Sequence, residues 1–156
     1  MAADDFSIPD VLLESLRERL RAPLGSSAIE LAVWAAVETE LEQRAWALVA
    51  LAQRLRRERA SELGRLAVDA AIALDAGPAP TRAARTVSVS LLADEGHLEA
   101  AVALGEQLLS EARDTSLLKA LARVYWELWQ QTEDEAWHER WWQVSVLRHG
   151  PAPTTS

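Results

Sequence analysis

Gly96-His97-Leu98-Glu99-Ala100-Ala101-Val102 places a glycine breaker directly before a run of helix formers, so a turn enters a helix there. A second copy stands 35 residues on, where Thr132-Glu133-Asp134-Glu135-Ala136-Trp137 sets Ala136 opposite Ala101 and Trp137 opposite Val102. Upstream of it, Leu118, Leu121, Ala122 and Tyr125 run large, large, small, aromatic. A turn and helix that return after about 34 residues indicate stacked helical hairpins, each burying its apolar face on the next. The small side chain of Ala101 lets two helices approach closely.

Working outward, the remaining breaks fall at Pro9, Pro23 with Gly25, Gly77-Pro78-Ala79-Pro80 and Gly150-Pro151. Between them stand Ala, Leu, Glu and Arg. A first helix is expected from Pro9 to Arg21, with Ser7 as its cap. A second starts near Ser26 or Ser27 and meets no breaker until about Arg59. One long helix fits, and its continuity stays open. Ile29, Val33, Val37, Leu41, Ala45, Leu48, Ala52 and Leu55 recur along it at three- and four-residue steps, as one buried face requires. Ser61 is the expected cap of a third helix, to Asp75. A fourth runs from Thr81 to before Gly96 and includes the strand-like run Thr86-Val87-Ser88-Val89-Ser90, whose flanks are helical in composition. A fifth covers about His97 to Ala112. Asp114 caps a sixth, Thr115 to about Gln131, and a seventh runs from Asp134 to about Leu147. The fold class is therefore all-α, about five to seven helices packed as consecutive antiparallel hairpins. One domain is expected over residues 1–149, with N-terminal helices to 60 and hairpins from 61. The proline-rich, polar residues 150–156 read as a disordered tail.

The two copies and the Leu118–Tyr125 pattern resemble the tetratricopeptide repeat, over about residues 61–149. The fourth helix, with Arg82, Arg85 and Thr86, lacks that family's large first-helix residues, and no proline closes the fifth. An irregular helical bundle is the alternative. The resemblance implies a short solenoid and peptide or protein binding.

Several function classes lose support from composition. There is no cysteine, which removes thiol chemistry, disulfides and zinc-thiolate sites and fits a reducing, cytoplasmic setting. The net charge of -8 repels phosphate backbones, disfavours nucleic acid and favours a basic partner. No run approaches ~18 uncharged apolar residues, so no membrane span is expected. No Gly-x-Ser-x-Gly elbow or phosphate-cradling glycine loop is present. Glu135 and His138 have a di-iron spacing, but the second motif such a site needs is missing, since Asp94-Glu95-Gly96-His97 crosses a glycine. The arginines at 54, 56, 57 and 59 suit a helix C-terminus. No catalytic residue, metal or cofactor is expected.

Tryptophan is the unusual element. The chain has seven, and Trp126, Trp129, Trp137, Trp141 and Trp142 crowd the last hairpin. On a helix, Trp137, Trp141 and Val144 share one stripe, while Trp142 and Val146 share another about 100° away. One stripe can pack on Tyr125, Leu128 and Trp129. The other is left for a partner, because interfaces enrich Trp and terminal repeats expose an unpaired face. The candidate partner-binding residues are Trp126, Trp129, Trp142 and Val146. The function expected is a non-catalytic adaptor, assembly factor or accessory subunit. The alternative is a self-assembling subunit joined through the Trp-rich hairpin into a homo-oligomer.

Overall fold

The computed structural model describes residues 34, 35 and 37–149. The helix expected over Pro9–Arg21, the stripe residues Ile29 and Val33, and the tail 150–156 lie outside the described residues. Within them the protein is all-α, with six helices, no strand and consecutive antiparallel hairpins. The helices are α1 (Leu41–Arg57), α2 (Ser61–Leu74), α3 (Pro78–Asp94), α4 (Leu98–Glu111), α5 (Thr115–Thr132) and α6 (Glu135–His149).

The chain forms two compact units, Met1–Leu91 and Leu92–Ser156. In the first, α1 buries Ala45, Leu48, Leu51, Ala52 and Leu55 against Leu63, Ala67, Val68 and Ala71 of α2. Gly64 lets α3 approach, because a Cβ there would lie 3.1 Å from Leu91 Cδ2. Thr86-Val87-Ser88-Val89-Ser90 is helix, and its hydroxyls bond back one turn: Thr86 Oγ1 donates to Arg82 O at 3.0 Å and Ser88 Oγ to Ala84 O at 3.2 Å.

Continuity of the long second helix is answered in the negative. Helical backbone at Val37 gives way to non-helical Glu38 and Thr39, and Glu40 is extended at φ -80°, ψ 121°. Polar groups freed by the break are satisfied locally. Glu38 Oε1 accepts from Glu40 N at 3.2 Å, and Arg44 Nε donates to Glu38 O at 2.8 Å. Among its described residues the apolar stripe is accordingly buried from Ala45 onward; Val37 is 68% exposed and Leu41 36%.

Two helix starts are corrected. Ala60, not Ser61, occupies the cap of α2, and no side chain bonds there. The helix α3 begins at Pro78 rather than Thr81. First-turn N–H groups have no intrahelical acceptor, so prolines at 78 and 80 forfeit nothing and arrive with helical φ.

In the second unit α4 packs on α5 and α5 on α6. The buried face of α4 is Leu98, Ala101, Val102, Gly105 and Leu108. Gly105 sets the closeness of that pair, since a Cβ there would run into Cδ2 of Leu121. The helix α5 buries Leu117, Leu118, Leu121, Ala122, Tyr125 and Leu128.

Candidate interaction surface

Local chemistry fixes the α5–α6 hairpin. Asp114 caps α5, its Oδ1 accepting from Leu117 N at 2.8 Å. Glu133 closes α5 in the left-handed region at φ 56°, with its N–H donating to Trp129 O at 2.8 Å. Asp134 Oδ1 then accepts from Ala136 N at 3.0 Å and starts α6.

Two aromatic layers join the hairpin. In the first, Trp137 stacks on Tyr125 with centroids 6.0 Å apart, and the Arg140 guanidinium lies 4.8 Å from the Trp137 ring centre. Glu106 of α4 completes this layer. Its Oε1 accepts from Tyr125 Oη at 2.7 Å and from Arg140 Nη1 at 3.2 Å, so one carboxylate oxygen ties three helices. The second layer is a closed ring of four. Trp126 meets Trp129 at 5.0 Å and Trp141 at 4.9 Å; His138 meets Trp129 at 4.6 Å and Trp141 at 5.5 Å. Each well-placed aromatic pair contributes about 0.5–1.5 kcal/mol beyond its buried area. The surface therefore rests on a stiff platform.

Trp137 and Trp141 face α5, as their stripe required, but both are half-buried, and Val144 is the buried residue of that stripe at 4%. Trp141 makes ring contacts with Trp126 and His138. Trp126 is 39% exposed and Trp129 half-buried within the four-ring cluster. Trp142 is 60% exposed and makes no ring contact with a described residue, and Val146 beside it is 39% exposed. The structure thus brings Trp126 and Trp129 together and sets Trp142 and Val146 on the adjacent outer stripe of α6.

Sequence reasoning passed over Glu106 and Arg140. Only the Glu135–His138 spacing drew attention to the histidine, and its ring is packed between Trp129 and Trp141. Among the described residues no three His, Asp or Glu side chains gather to hold a metal. No described helix is long and apolar enough to cross a membrane. Within the arginine group of α1, Arg54 pairs with Glu58 at 3.2 Å. A shallow cleft of about 420 Å³ opens beside the aromatic ring, lined by Trp129, Gln130, Glu133 and Glu135.

The 35-residue pairing of the two copies does not hold in the backbone: the left-handed residues Gly96 and Glu133 that precede α4 and α6, and the helix starts Leu98 and Glu135, stand 37 residues apart, so Ala101 is the fourth residue of α4 and Ala136 the second of α6. Ala101 is fully buried whereas Ala136 is exposed. The face of α4 is covered by α5, and among the described residues no helix follows α6. Neither a family model, nor a curated protein, nor a solved structure matches the chain.

Proposed function

We propose that this chain is a non-catalytic protein–protein interaction module, an adaptor, assembly factor or accessory subunit of a larger complex. Its helical hairpins resemble tetratricopeptide repeats, and that family's habit of binding proteins supports the reading. The observation that carries it is the 60% exposure of Trp142 on a helix whose neighbouring stripe is locked into two aromatic layers. A large indole held in the open on a rigid base is the feature that dominates binding at interfaces. The absence of cysteine favours a cytoplasmic setting.

Trp142→Ala tests the reading. Truncating an exposed side chain should cost about 0.5 kcal/mol or less in thermal unfolding. Capture of partners from the native host should weaken by ~2 kcal/mol or more, the hot-spot scale. Unchanged capture would move the binding site elsewhere. Loss of an oligomer in the variant would favour the self-assembling alternative.

A further inference from the structure

We infer that the outer stripe of α6 receives a basic amphipathic segment of another protein. An apolar side chain of that segment lies on Trp142 and Val146, and a Lys or Arg enters the cleft between Trp129 and the carboxylates of Glu133 and Glu135. The inference rests on the interaction role proposed above and adds the chemistry of the partner.

Glu135, Glu139, Trp142 and Val146 follow one another at steps of four, three and four residues, so they share one helical face. No Lys or Arg interrupts that face. The basic residues of α6 before its last turn reduce to Arg140, which is on the far side, engaged with Glu106 and Trp137. Glu133, Glu135 and Glu139 are exposed, and no described side chain forms an ion pair with them. A cleft of about 420 Å³ lies at the low end of ligand sites, ~300–1,000 Å³. Its open, half-polar lining suits one long side chain rather than an enclosed cofactor.

Indole beside carboxylate is a cation-binding combination, because the ring face and the anion attract the same charge. The molecule already uses it once. Arg140 lies over Trp137 with Glu106 on its other side, at 4.8 Å and 3.2 Å. The cleft brings the same residue types together, Trp129 with Glu133 and Glu135, and leaves the cation to come from outside. Charge also decides among occupants. A second copy would bring the same carboxylates against themselves. An anionic lipid surface or a nucleic acid would meet like charge, and the chain's net charge of -8 adds to that repulsion.

The test uses the full chain and a fluorescent synthetic helix of about four turns, with Leu on one face and Lys flanking it. Anisotropy titrations should show binding that weakens with salt. Glu133→Gln with Glu135→Gln should lower affinity about tenfold and flatten the salt dependence. Trp142→Ala should lower it about tenfold with the salt dependence kept. All variants carry exposed substitutions, and circular dichroism checks their fold. Failure of the Lys helix to bind, or binding indifferent to the two Glu substitutions, overturns the inference. A matched helix with Glu in place of Lys that binds equally, and loses binding with Trp142→Ala, keeps the interaction role and overturns the basic partner. Sedimentation with phosphatidylserine vesicles that is lost in Trp142→Ala overturns both the charge argument and the protein partner.

Discussion

Tyr125 is the single tyrosine of the chain, and it sits 3% exposed where α4, α5 and α6 meet. Burial, and then its hydrogen bond to the Glu106 carboxylate, raise its pKa well above the usual value near 10. The folded state therefore favours the neutral phenol. The stability this confers is complete below about pH 10 and is lost as pH climbs toward the raised folded value. Absorbance at tyrosinate wavelengths should stay flat through the range where free tyrosine ionises and rise only as helix is lost. Half-ionisation near pH 10 in folded protein would mean that neither the burial of the phenol nor its Glu106 contact holds in solution. Gly105 makes a second demand at this scale. Alanine normally favours a helix interior by about 1 kcal/mol over glycine. Here its Cβ would run into Cδ2 and lie 3.0 Å from Cγ of Leu121, which is fully buried. Overpacking costs about 1–3 kcal/mol, so Gly105→Ala should lower stability in denaturant unfolding.

At the scale of the element, two helix ends share one hydrogen-bond pattern with different residues. After α3, His97 N donates to Leu92 O at 2.8 Å and Gly96 N to Ala93 O at 3.0 Å, with Gly96 at φ 85°. After α1, Ala60 N donates to Leu55 O at 2.8 Å and Arg59 N to Arg56 O at 3.0 Å, with Arg59 at φ 62°. Both are the six-to-one closure that glycine favours. Arg59→Gly should therefore raise stability by about 0.5–1 kcal/mol, and Gly96→Ala should lower it by a similar amount. Caps give a matching contrast. Asp114→Ala should cost about 1 kcal/mol, while Ser61→Ala should cost almost nothing because no side chain caps α2. Thermal unfolding reads all four. These ends also show what the sequence can tell. Gly96 and Asp114 announce their turns because their chemistry is local. The break at Glu38–Glu40 contains neither glycine nor proline, and Arg44 holds it from six residues away. The start of α3 was misplaced for the opposite reason: Pro78 and Pro80 are breakers inside a helix and harmless in its first turn.

For the molecule as a whole, the outward direction of Trp142 could be read from the angle between neighbouring positions on one helix. The four-ring cluster could not, because it depends on how α5 and α6 cross, and Glu106 enters from a third helix. The same assembly bears on self-association. Counted from the helix starts at Leu98 and Glu135, the residues of α6 that correspond to the buried Leu98, Ala101, Val102 and Gly105 of α4 are Glu135, His138, Glu139 and Trp142, so stacking of copies would use the same stripe as their pairing. Face-to-face pairing would use Trp142 and Val146. A Trp buries roughly 150–250 Å², well short of the ~800 Å² per partner of a stable interface. It would also set Glu135 and Glu139 of two chains together. Raising salt screens that repulsion, shortening its reach from ~8 Å at 0.15 M to ~3 Å at 1 M, but adds no contact area. Size-exclusion chromatography with light scattering should therefore give the mass of one chain at micromolar concentration, in both low and high salt. A dimer that appears at high salt and disappears in Trp142→Ala would show that the stripe pairs with itself. The basic-partner assignment would then give way to a homotypic one.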